Sequence, residues 1–125
     1  MNDLTREWLS KAQEDYSVAV GLLRRKKVPA STVCFHCQQA AEKYLKAALQ
    51  EQGIRFGRTH DLESLAGLGG DVTVAVSSLS DDLKLLSDYA VRYRYPGFDA
   101  TSRQARSAVD AVRRVRAAVT RLLGV

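Results

Sequence analysis

Residues 34–37, Cys-Phe-His-Cys, place two thiols three positions apart with an imidazole between them. At that spacing cysteines can hold zinc or exchange disulfides. A structural zinc needs four ligands. Cys34, Cys37, His36 and His60 are all the cysteine and histidine donors the chain owns. On a helix His36 projects from a different side than the two cysteines. Redox Cys-x-x-Cys pairs draw their reactivity from a helix N-terminus, where the dipole stabilises thiolate. Cys34 falls roughly one and a half turns inside its helix. The expectation is therefore two buried thiols acting as small core side chains, with no metal and no cofactor.

Other strings that carry chemistry are few. No Gly-x-Ser-x-Gly, glycine-rich phosphate loop or His-Glu-x-x-His occurs, and no pair of carboxylates stands out. Arg55 to His60, "RFGRTH", fits Arg-x-x-x-x-His, but in a glycine-containing loop. The stretch "DYAVRYRYPGF" alternates Arg92 and Arg94 with Tyr89, Tyr93 and Tyr95 where a helix runs into a Pro-Gly turn. Guanidinium groups fork onto phosphates, and tyrosine rings stack on bases. The same residues equally suit a helix C-terminus whose arginines bond free carbonyls while the tyrosines pack inward.

These residues need elements to hold them. Leu4, Trp8, Ala12, Tyr16, Ala19 and Leu23 step by three or four, which predicts a helix over about 3–26 with Asn2 or Asp3 as its cap. "RRKK" then places positive charge at the negative end of the helix dipole. A second helix is predicted from Pro29 to Gly53, its apolar stripe including both cysteines, Tyr44 and Leu45. Gln38, Gln39, Glu42, Lys43 and Lys46 are expected on its other faces, where Gln39 and Glu42 also suit capping or bridging helices within the bundle. "THDLESLAGLGG" predicts a short helix opened by Thr59 or Asp61. Another long helix is expected over about 80–93, with Ser80 as cap and Leu83, Leu86, Ala90 and Tyr93 on one face. Thr101 to Gln104, "TSRQ", reads as a capping box that opens a last helix. "VTVAVSSL" (72–79) is the only strand-like stretch; lacking a partner strand, it is expected to lead into the helix at 80. The sum is an all-α, up-and-down four-helix bundle with one extra short helix, a single domain over 1–125.

The totals agree with a globular core: 125 residues, 46% hydrophobic and 26% charged. No apolar run approaches the ~18 residues of a membrane span. The polar opening "MNDLTREWLSK" lacks a signal-peptide core, which predicts a cytoplasmic protein. The net charge is +5, and from Asp99 onward six Arg face two Asp. Such a balance serves nucleic acid, an acidic partner protein or plain solubility.

Three short motifs in order, "FHCQQAAEKYLKAAL", "THDLESL" and "RYRYPG", resemble the HEPN (higher eukaryotes and prokaryotes nucleotide-binding) domain family over nearly the whole chain. The resemblance implies a helical bundle, usually dimeric or higher. Bacterial members are often encoded beside a minimal nucleotidyltransferase and act with it as a toxin–antitoxin-like pair. Many members are metal-independent ribonucleases with an Arg-x-x-x-x-His motif between the third long helix and the last. Here Arg92 and Arg94 occupy that region, yet no histidine occurs from Asp61 to Val125. Cleavage by a 2′-OH needs a proton acceptor and donor, for which His is best suited near neutral pH.

The expected function is thus a non-catalytic nucleotide- or RNA-binding accessory, a homo-oligomer working with a separate nucleotidyltransferase. By resemblance its ligand surface combines Gln39, Lys43, Lys46 and His60 with Arg92, Tyr93, Arg94 and Tyr95. The arginines would hold phosphates, Tyr93 or Tyr95 would stack on a base, and the lysines would neutralise charge. One alternative is a ribonuclease toxin using Arg92 or Arg94 with His60. Another is a protein-interaction module that binds no nucleotide.

Overall fold

The computed structural model describes residues 1–93 and 95–125. Arg94, one of the expected ligand residues, lies outside the described residues. The chain runs α1 (Asp3–Leu23), α2 (Ala30–Glu51), α3 (Leu62–Ala66), α4 (Gly70–Ala75), a 3₁₀ turn (Ser77–Leu79), α5 (Ser80–Arg92) and α6 (Ser102–Leu123). Among the described residues there is no strand. Among those residues no helix is long and apolar enough to cross a membrane.

Local signals account for most helix ends. Asn2 caps α1, its Oδ1 accepting from Thr5 N at 2.8 Å. Thr101 and Gln104 close the expected capping box at α6. Gly53 ends α2 at φ +68°. There Ile54 N donates to Leu49 O and Gly53 N to Gln50 O, the paired bonds of a Schellman turn. Glycine takes that left-handed conformation without the strain a Cβ would bring.

The four long helices alternate in direction around α2. Asn2 and Thr5 of α1 meet Glu51 at the end of α2, so those two are antiparallel. Ala100, just before α6, donates to Ser31 Oγ at the start of α2, so those two run parallel. Arg114 of α6 grips Asp82 at the start of α5 with two bonds of 2.8 and 2.9 Å. Thr5, Ala12 and Ala19, seven apart, are buried along α1. Such small residues let helix axes approach to about 8–10 Å.

Three expectations are corrected. Leu4, placed on the α1 core stripe, is exposed; Thr5 takes the buried position in the seven-residue step. The segment 72–79 is not a mere lead-in but contributes most of α4 and the 3₁₀ turn, giving two short helices rather than one. Val72 and Val76 are buried while Val74 is 74% exposed. A strand would put all three valines on one face, whereas a helix turns the middle one outward. Ser80, expected as a cap, continues directly from the 3₁₀ turn, and α5 has no side-chain cap.

Candidate functional site

Both cysteines are fully buried. Burial pushes the Cys34 thiol up to about 12. Cys37 is raised as well, by burial first and then by the neighbouring Cys34. Neither presents a thiolate at neutral pH. His36 turns away from them, its Nδ1 2.9 Å from Asp15 Oδ1.

The flank of α2 that the sequence assigns to solvent is largely enclosed. Glu42, 4% exposed, anchors a buried polar network. Its Oε2 accepts from Lys46 Nζ at 3.1 Å. Its Oε1 lies 2.7 Å from His60 Nδ1 and 3.4 Å from Gln38 Nε2. Gln38 Nε2 also donates to the His60 carbonyl at 3.0 Å. An ionised carboxylate only accepts, so the proton of this pair sits on Nδ1 and Nε2 is left facing outward. The His60 side chain is 73% exposed.

Lys46, expected to offer charge to a ligand, is instead buried, with its Nζ 5.4 Å from the Trp8 ring centroid and 5.7 Å from that of Phe56. Those rings meet edge to face at 5.9 Å. The ammonium thus ties α1, α2 and the loop after α2 together through Glu42 and two aromatic faces. Lys43 is likewise engaged, donating to Asp15 Oδ2. Gln39 Nε2 donates to Gln38 Oε1 at 2.8 Å. The polar residues of α2 therefore act mainly between helices.

The end of α5 is different. Arg92 and Tyr95 are exposed, as is Phe98 beyond them. Tyr93 is half-buried and lies 5.5 Å from Tyr89, ring to ring. Pro96-Gly97 turns the chain, with Gly97 at φ +89° and Phe98 N donating to Tyr95 O. A shallow groove lined by Asp81, Lys84, Leu85, Asp88, Tyr89 and Arg92 runs along α5 to this corner. Burial raises the Tyr89 phenol, and Tyr93 and Cys34 add to the shift.

His60 is fixed against Glu42 and Gln38 of α2, whereas Arg92 is the last residue of α5. Among the described residues no hydrogen bond joins Arg92 to His60 or to its partners on α2. Two acids organise most of the polar contacts: Glu42, which bridges elements within the bundle as its reading from the sequence allows, and Asp15, which the sequence did not single out. The i, i+4, i+8 spacing of Gln38, Glu42 and Lys46 was the available signal for the first of these.

The family model of the HEPN domain matches residues 5–122. The chain belongs to the HEPN domain family. Among solved structures it is similar to TT1696 from Thermus thermophilus, with 27% identity and a TM-score of 0.83. That likeness covers 97% of this chain and 99% of the other. ST0689, an archaeal HEPN homologue, shares the fold at 24% identity and a TM-score of 0.69, over 93% of this chain and 94% of that one. No curated protein matches the sequence. The HEPN bundle found here is thus held by a carboxylate-centred network on α2, with its exposed arginine–aromatic residues at the end of α5.

Proposed function

We propose that this HEPN protein is a non-catalytic nucleotide- or RNA-binding accessory, a cytoplasmic homo-oligomer that works with a separate minimal nucleotidyltransferase. The observation that carries the proposal is the corner after α5. An exposed guanidinium, Arg92, stands beside the Tyr89–Tyr93 ring pair and the exposed Tyr95. Arginine holds phosphate by a planar fork, and an exposed ring offers a face to any base. No histidine follows Asp61 in the sequence, so α5, the turn after it and α6 carry no imidazole of their own to move a proton near pH 7.

A second function has one specific observation in its favour. Glu42 holds Nδ1 of His60 and leaves Nε2 exposed. A carboxylate orienting an imidazole in this way is how general bases are commonly positioned. A metal-independent ribonuclease would then pair this histidine with Arg92 or Arg94, brought close by folding or supplied by a second copy of the chain.

Purified protein incubated with structured and single-stranded RNA in EDTA separates the two. Salt-sensitive binding without cleavage is the expected result. Cleavage that disappears in His60→Ala overturns the accessory role in favour of the ribonuclease. Neither binding nor cleavage of RNA, together with no binding of nucleotides, overturns both and leaves a protein-interaction module. Light scattering at micromolar concentration should give at least a dimer, and a monomer refutes the oligomer.

A further inference from the structure

The helix directions bring three basic segments to one end of the bundle. Arg24 to Lys27 link the end of α1 to the start of α2. Arg92 closes α5, and Arg103 and Arg106 sit in the first turns of α6. Ala100 bonded to Ser31 pins the α6 start beside the α2 start. Arg113 Nε donates to Tyr16 OH, and Arg116 lies over the Tyr16 ring at 5.0 Å, so α1 and α6 pack side by side, antiparallel. Seven residues on, the end of α1 therefore draws level with Arg106 and Arg103.

All of these cations are exposed, and among the described residues none of them makes an ion pair. The cations that do find carboxylates, Arg6, Lys43, Lys46, Arg113 and Arg114, lie elsewhere. Asp99 and, further back on α5, Asp88 are the acids closest in sequence to the corner. They leave this end strongly positive.

The helix starts repeat the asymmetry. α2 and α6 begin at this end, and neither has an acidic residue in its first turn. α1 and α5 begin at the other end and carry Asp3, and Asp81 with Asp82, in theirs. An acid in a first turn favours a helix, so leaving it out only at one end keeps that end positive. The exposed Tyr95 and Phe98 stand on the turn at the rim of the same basic surface. Unpaired arginines and lysines beside exposed rings suit a flexible strand, whose phosphates need charge and whose bases need flat apolar faces.

We infer that this end of the bundle is a docking surface for single-stranded RNA. Arg24 to Lys27, Arg92, Arg103 and Arg106 track the phosphates, and Tyr95 and Phe98 stack on bases. The inference rests on the nucleic-acid role proposed above and adds where the strand lies and which form of RNA it takes. It moves most of the binding charge away from the α2 flank of Lys43 and Lys46.

The test is fluorescence anisotropy with a labelled single-stranded uridine oligonucleotide, titrated at several salt concentrations. Helix content is checked by circular dichroism for every variant. The double variants Arg25→Glu/Lys26→Glu and Arg103→Glu/Arg106→Glu should each weaken binding at least ~10-fold. Each should also flatten the log–log salt slope by about 0.7 per cation removed. Tyr95→Ala/Phe98→Ala should weaken binding about 5-fold or more with the salt slope unchanged. Arg55→Glu/Arg121→Glu, at the opposite end, should change affinity less than about 2-fold beyond the general loss of net charge.

If the basic-end variants bind as wild type does while His60→Ala or Lys43→Ala does not, the surface is wrong and the nucleic-acid role stands. Equal competition by duplex RNA overturns the single-strand assignment. Polyglutamate bound as tightly as RNA, with no effect of losing Tyr95 and Phe98, assigns the surface to an acidic protein instead. Wild-type protein that binds no RNA at all removes the role proposed above and this inference with it.

Discussion

Replacing Glu42 by Gln should destabilise the bundle more than any other single change in its polar network. The substitution keeps the shape and removes the charge. The Lys46 ammonium, its side chain 8% exposed, then has no counter-charge, only a neutral amide and the Trp8 and Phe56 rings. Breaking a buried pair by removing one partner costs about 3–5 kcal/mol, because the other charge is left uncompensated. The cation–π contacts are present before and after, so they do not offset the loss. Lys46→Met is the milder change, about 1–3 kcal/mol, since Glu42 retains His60 Nδ1 and Gln38 as donors. The double variant Glu42→Gln/Lys46→Met leaves neither charge buried and should recover to within about 1–2 kcal/mol of wild type. Trp8, the sole tryptophan, lies against Lys46 and reports unfolding by its fluorescence. With a urea slope of about 2 kcal/mol/M, a loss of about 3–4 kcal/mol moves the midpoint down by about 1.5–2 M. Glu42→Gln within about 1 kcal/mol of wild type, or a double variant less stable than Glu42→Gln alone, refutes the account of this network.

Further outcomes follow from the core and the helix ends. Native protein should react with a thiol reagent no faster than it unfolds, and Cys37→Ala should cost roughly 1–2 kcal/mol by urea melt while leaving RNA binding unchanged. Because the folded Cys34 thiol keeps its proton up to about 12, the native state holds a proton that the unfolded chain releases. Stability should then fall above about pH 9, with Cys34 contributing up to about 1.4 kcal/mol per pH unit and Cys37 adding to it, and a Cys34→Ala variant measured in parallel should lose less. Thr101→Ala removes the acceptor for Gln104 N at 3.1 Å and should cost about 1 kcal/mol. An unchanged melt would mean that the capping box contributes nothing to α6.

The helix boundaries and the burial of the thiols were legible because both depend on local chemistry. Asn2, Gly53 and the Thr101–Gln104 pair act within a few residues of themselves, and the stripe bearing Cys34 and Cys37 repeats at the helical period. The bridging role of Glu42 was open to the sequence, but the burial of Gln38 and Lys46 was not legible. Their types suit a wet surface, and only neighbours distant in sequence enclose them: Trp8 from α1, and Phe56 and His60 from the loop after α2. The strand-like alternation of Val72, Val74 and Val76 misled for a related reason. A run that short fits either period until packing decides which valines are covered.

The amino-acid sequence by itself determined where the long helices start and stop, that their stripes must meet in a bundle, and that the chain resembles HEPN domains. Capping, turn formation and apolar periodicity are short-range, so the order of residues is enough to set them. Only the tertiary structure decided which charges stay available. Packing α1, α2 and the following loop together buried Lys46 and paired Lys43. The alternating helix directions gathered Arg24 to Lys27, Arg92, Arg103 and Arg106 at one end, where among the described residues no carboxylate holds them. A charge is free or neutralised according to what lies within a few ångströms in space, and chain order does not encode that distance directly.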